Sequence, residues 1–209
     1  YAGMVGYAHD TDLMSFRTNS IQRMAIDSSG NVGIGITPNV NSSVVNVIQL
    51  GKGMTLLGNA NDDRATMAAN LYLDTGTAFR YVMDGYAGRF SIEDGNMIWG
   101  TAGSGTLGAV ATVSTKMTLL NNGKLGIGGG TIEGKLSIDY TAAELPTSGT
   151  TSNSAIQVTS SLNNQLNLGL NTVSGSYGAY IQASDNNLAV PYPLNLQPNG
   201  GNVIIGDLT

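Results

Sequence analysis

The sequence predicts an all-β protein, and three observations carry that reading. Apolar residues alternate with small or polar ones through most of the chain, turn-forming residues punctuate it at short intervals, and one turn-centred motif recurs. No stretch has the apolar spacing of an amphipathic helix. Of 209 residues 29 are Gly and only 11% are charged, whereas globular domains average about a quarter charged. Asn, present 21 times, supplies neutral polarity together with Ser and Thr, which suits turns and one-sided strands.

The N-terminal segment, 1–40, contains the first motif, Met24-Ala25-Ile26-Asp27-Ser28-Ser29-Gly30-Asn31-Val32-Gly33-Ile34-Gly35. It reads as two short strands around a turn. Alternation places Met24 and Ile26 on one face, and Val32 and Ile34 join them if the turn keeps register. Gly33 and Gly35 fall on the other parity, and glycine inside a strand marks close approach of another backbone.

Residues 41–115 form a different block, expected as a β-meander knob. Leu71-Tyr72-Leu73, Phe79 to Met83, Arg89 to Ile92 and Met97 to Trp99 are separated by Asp-rich and Gly-rich turns. A long one-sided strand is expected from Ala109 to Leu119. It feeds the second motif in 116–138, where Met117, Leu119, Leu125 and Ile127 take the places of Met24, Ile26, Val32 and Ile34. A second β-rich knob is expected over 139–192, with strands near Ala155–Val158, Leu166–Leu170 and Gly178–Ala183. A third motif copy, Leu194 to Gly206, lies in the closing segment 193–209, and Phe90 to Gly100 is a weaker relative. A lone hairpin with one narrow apolar face is unstable in water, so these stripes need partners. The eight apolar residues of the two motifs are the expected subunit-packing core.

Composition removes most catalytic and cofactor chemistry. There is no Cys and one His, so thiolate nucleophiles, Cys-ligated metals and most His-based metal sites are excluded. The formal charge of −5 argues against a phosphate-binding surface and hence against nucleic acid. No run approaches the roughly 18 apolar residues that span a bilayer, so membrane insertion is not expected. The Gly-rich runs at 51–53 and 126–130 lack the following helix that a nucleotide loop requires. His9 with Asp10 and Asp12, and the pairs Asp62-Asp63 and Glu93-Asp94, read as solvated turns. No enzymatic activity, metal or cofactor is expected. The aromatics of the middle block are more informative: Phe79, Phe90 and Trp99 are expected in the core, while Arg80, Tyr81 and Tyr86 are the surface candidates for binding a sugar or protein.

The stretch Arg23 to Gly35, the later Gly123-Lys124-Leu125-Gly126-Ile127-Gly128 and the run Pro193 to Gly206 resemble the shaft repeats of bacteriophage tail fibres. Such repeats precede a C-terminal intramolecular chaperone domain of the endosialidase type. The resemblance implies an elongated, intertwined homotrimer within the extracellular virion tail fibre, joined to other tail proteins and attaching to a host cell-surface glycan or protein. It also implies that the chaperone domain is removed by self-cleavage or encoded beyond Thr209. The absence of an initiator Met leads to the expectation of a fragment or processed product. Two rival classes share this texture: a trimeric bacterial surface adhesin, and a tailspike-like polysaccharide depolymerase.

Overall fold

A computed structural model describes residues 3–39, 45–59, 63–140, 154–173, 176–186 and 190–196. These contain strands and turns and no helix. The chain divides into two compact units, Tyr1–Asp139 and Tyr140–Thr209. The first unit contains β1 (Gly3–Ala8), β2 (Leu13–Thr18), β3 (Ile21–Ile26), β4 (Val32–Ile34), β5 (Val45–Leu50), β6 (Met54–Asn59) and β7 (Ala65–Ala69). It continues with β8 (Leu71–Leu73), β9 (Phe79–Tyr81), β10 (Gly85–Glu93), β11 (Asn96–Gly105), β12 (Ser114–Leu119), β13 (Leu125–Ile127) and β14 (Leu136–Ile138). All but β8 and β9 join one twelve-stranded mixed sheet in chain order. One sheet thus runs through segments 1–40, 41–115 and 116–138.

The two motifs build the same local structure. β3 pairs antiparallel with β4, and β4 then pairs parallel with β5; β12, β13 and β14 repeat that arrangement. Gly30 and Gly123 close the two turns at positive φ, 81° and 78°. In each turn the Gly amide donates three residues back, Gly30 N to Asp27 O and Gly123 N to Leu120 O. Gly35 and Gly128, also at positive φ, take the chain out of the sheet before it returns as the parallel strand. Only glycine reaches such conformations without a Cβ penalty, which accounts for their spacing in sequence. The third copy lies largely outside the described residues. The weaker relative is the β10–β11 hairpin, turned by Asp94-Gly95 with both φ values positive, as a tight two-residue hairpin requires.

The expected meander is corrected in two places. The β8–β9 hairpin leaves the main sheet as a separate two-stranded sheet, and β10 pairs with β7 instead. The long strand expected from Ala109 is strand only over Ser114–Leu119. Before it, Ala109–Val113 lies beside β9, with Tyr81 N donating to Ala109 O and Ala111 N to Phe79 O.

Register decides what each face of the large sheet carries. Following pairs from β1 to β14 gives one ladder: Tyr7, Met14, Ile26, Val32, Ile48, Leu56, Met67, Phe90, Trp99, Met117, Ile127 and Ile138. All twelve are apolar or aromatic, and none is buried. The opposite face carries Ser15, Ala25, Gly33, Gln49, Thr55 and Ala68, all buried. The chain covers this face itself. Leu71, Leu73 and Tyr81 of the β8–β9 hairpin belong to the two clusters of buried apolar residues that line it, with Ala68 and Ala87 in one and Val45, Val47 and Leu57 in the other. Thr55 Oγ1 donates to Leu71 O, and Asn39 N to Gln49 Oε1. The covered face thus mixes small and polar side chains with Val45, Val47 and Leu57, while a second row of long apolar side chains stands on the open face.

The close approach expected at the strand glycines is made by the chain's own loops. A Cβ at Gly33 would overlap the Ile36 carbonyl oxygen and stand 2.9 Å from Pro38 Cδ, while one at Gly126 would meet Ile132 Cδ1 at 2.5 Å.

In the second unit β15 (Ile156–Thr159), β16 (Asn164–Val173) and β17 (Ser176–Asp185) form an antiparallel sheet. Its buried residues Gln165, Asn167 and Ser184 are polar. Gln157 Nε2 donates to Gln165 Oε1 and Asn167 Oδ1, and Gln165 Nε2 to Ser184 Oγ. The other face carries the pair Ile156–Leu168, then Ile181, with Val158 beside them; Val158 is 59% and Ile181 57% exposed. The polar turn expected at 184–187 is strand through Asp185.

Gly33→Ala should destabilise the first unit by about 1–3 kcal/mol, the usual range for overpacking. Gly126→Ala should cost less, because the flexible end of a side chain can yield where the backbone at Ile36 cannot. Denaturant unfolding of the two variants checks the order.

Candidate functional site

An apolar concavity lies on the open face of the large sheet. Beside the ladder, Met54, Ala69 and Gly88 stand opposite one another in the next row of β6, β7 and β10. Ala69 and Gly88 have almost no side chain, so the row sinks there between Met54 and the taller Met67, Phe90 and Trp99. The depression measures about 600 Å³. Phe90 and Trp99 were expected in the core; register instead stands them on the open face, their ring centroids 5.0 Å apart. Phe79 packs against the buried clusters as expected.

All eight residues expected to form a subunit-packing core are on this face, and none is buried. Ile34 is 45% and Ile127 43% exposed, and Met24, Ile26, Val32, Met117, Leu119 and Leu125 are half-buried. The motif marked only two stretches of the surface, one towards each end. Ile48, Leu56 and Met67 continue it through the middle block, and only strand pairing identifies them.

The three surface candidates separate. Tyr86 is 79% exposed, whereas Tyr81 is 5% exposed, its hydroxyl donating to Gly103 O at 2.7 Å. Its ring lies where a Cβ on Gly105 would have to go. Tyr81 is therefore a core residue, which corrects its assignment to a binding surface. Arg80 is half-buried and committed: Nε donates to Asp74 Oδ2 and Nη1 to Gly108 O at 2.8 Å. Asp74 also accepts from the backbone amides of Gly76 and Ala78. The Arg80 guanidinium, followed by the Ala78 amide, holds the Asp74 carboxyl below its ordinary value of 3.8. Arg80 thus braces the β8–β9 turn against the 106–110 loop.

A residue that sequence reading passed over positions Tyr86. Asn70, buried with φ 56°, donates through Nδ2 to Met83 O and Tyr86 O, both at 3.0 Å, and accepts from Met83 N at 2.8 Å. Its side chain ties the turn at Met83 to the start of β10 at Tyr86. Asn tolerates the left-handed conformation better than other non-Gly residues, the only signal that could have drawn attention to it.

The remaining candidates resolve locally. His9 stands edge-on to Tyr7, centroids 4.7 Å apart, on the exposed β1–β2 hairpin, and the Tyr7 hydroxyl donates to Asp12. That hydrogen bond, then burial, raises the Tyr7 phenol above its ordinary value. Asp63 accepts from Asp94 N, and Glu93 pairs with Arg64 at 3.6 Å; Asp62 is outside the described residues. The Gly126–Gly130 run surrounds about 200 Å³, but the Asp139 side chain lies against Gly130, and a carboxylate there opposes an anion. Among the described residues, no three His, Asp or Glu side chains converge as metal ligands.

No protein-family profile matches the chain, and neither does any curated protein sequence.

Tyr81→Ala should cost about 3–5 kcal/mol of stability, as other large-to-small aromatic core changes do, and Tyr86→Ala within about 0.5 kcal/mol. Thermal unfolding separates the two roles. Asp74, with its carboxyl depressed in the folded state, contributes stability that is complete above the ordinary carboxylate value and is lost as pH falls below it. Acid titration should therefore show a stability loss below about pH 4 that is smaller in Asp74→Asn.

Proposed function

We propose that the chain is a non-catalytic structural segment of a bacteriophage tail fibre, assembled as an elongated, intertwined homotrimer and serving attachment to a host surface. The observation that carries this reading is the uncovered apolar ladder, which includes the two repeated motifs towards its ends. Twelve apolar side chains in line, left in water, would make a monomer sticky; burial against symmetry copies removes the problem. The low charge and neutral polar loops suit an extracellular virion surface. Tyr86, at the start of β10 where Asn70 holds the backbone in place, is the candidate for contact with a host glycan or protein. Assembly would present this residue in several copies, so that weak single contacts add.

Sedimentation or light scattering of the protein at micromolar concentration tests the reading. A mass three times the 21.6 kDa chain is expected. A well-folded monomer would overturn it. Ile127→Asp should abolish assembly, since a buried, unpaired carboxylate costs several kcal/mol. Tyr86→Ala should leave the mass unchanged and weaken adsorption to host cells.

A further inference from the structure

We infer that the open face of the twelve-stranded sheet, centred on the depression at Ala69 and Gly88, is the surface on which copies of this chain pack against one another. This rests on the self-association proposed above and deepens it, because it moves the centre of the contact from the two motifs to the middle block, β6 to β11. Three features of the face select a second copy as the occupant.

The first is area. Twelve strands at about 4.8 Å spacing and two to three side-chain rows deep make a face of roughly 900 Å², close to the 800 Å² or so per partner that stable protein interfaces bury. The second is chemistry. The ladder holds no charged residue, in a chain with 23 Asp, Glu, Lys and Arg residues to place, so its occupant must be equally apolar over the same length. The chain's own ladder meets that requirement, and the repeated motif gives it matching side chains towards both ends. The third is shape. The depression supplies the fit: a floor of Ala69 and Gly88 between Met54 and Phe90 is a hole into which a large side chain of a neighbouring ladder can insert, as packed apolar layers require.

The sole tryptophan, Trp99, stands at the rim and reports occupancy directly. In the assembled protein its emission should be blue-shifted and resist acrylamide. Ala69 is exposed in the single chain, so Ala69→Glu should leave the far-ultraviolet circular dichroism unchanged while removing the oligomer, red-shifting Trp99 and raising its quenching several-fold. Lys52→Glu, on an exposed turn, should change none of these. The chain has no Cys, so Met67→Cys and Lys52→Cys give a second measurement on the assembled wild-type background: the thiol at 67 should react many-fold more slowly than the thiol at 52. An oligomer in which Ala69→Glu keeps its mass and Cys at 67 reacts as fast as Cys at 52 would overturn the placement while leaving self-association standing. A monomeric wild-type protein would overturn both. Protection of Trp99 only after adding phospholipid vesicles would assign the face to lipid and overturn the inference.

Discussion

The large sheet depends on an unequal division of side-chain size between its faces. Small and polar residues, Ser15, Ala25, Gly33, Gln49, Thr55 and Ala68, form the side that the chain covers with its own loops and its β8–β9 hairpin. A layer of short side chains lets backbone approach backbone; Thr55 Oγ1 donates to Leu71 O and Gln49 Oε1 accepts from Asn39 N. Val45, Val47 and Leu57 on that side meet Leu71, Leu73 and Tyr81 of the hairpin. The other side carries twelve further apolar side chains in line, and none of them is buried.

The second unit repeats this division in different chemistry. Its buried face is a network of amides and hydroxyls around Gln165, Asn167 and Ser184, and its exposed face is aliphatic. Buried amides are tolerable when hydrogen-bonded, and here they fix the register of three strands. Two units that each leave an apolar sheet face open would be a liability in a free monomer. In a fibre they would give independent points of self-contact along the chain.

Attachment chemistry, in this reading, is separated from assembly chemistry. Tyr86 and the 106–110 loop stand on turns that Asn70, Asp74 and Arg80 brace by directed hydrogen bonds rather than by apolar packing. Such bracing tolerates change at the exposed positions without disturbing the sheet.

The sequence alone determined the strand content, the two glycine turns and the parity of the motif residues, because backbone conformation and alternation are local properties. Gly30 and Gly123 require positive φ, and Met24 and Ile34 share a face whatever surrounds them. It also marked the eight motif residues as one apolar surface. Only the tertiary structure decided how far that surface extends and which aromatics it holds. Phe90 and Trp99 read as core because they are large and apolar, yet β10 pairing with β7 rather than with β9 set them on the open face. Tyr81 read as surface because it carries a hydroxyl; Gly103 O, distant in sequence, satisfies that hydroxyl inside the protein. Strand partnership between distant segments has no local signature, since any alternating strand can pair with any other, and pairing is what assigns a side chain to the inside or the outside.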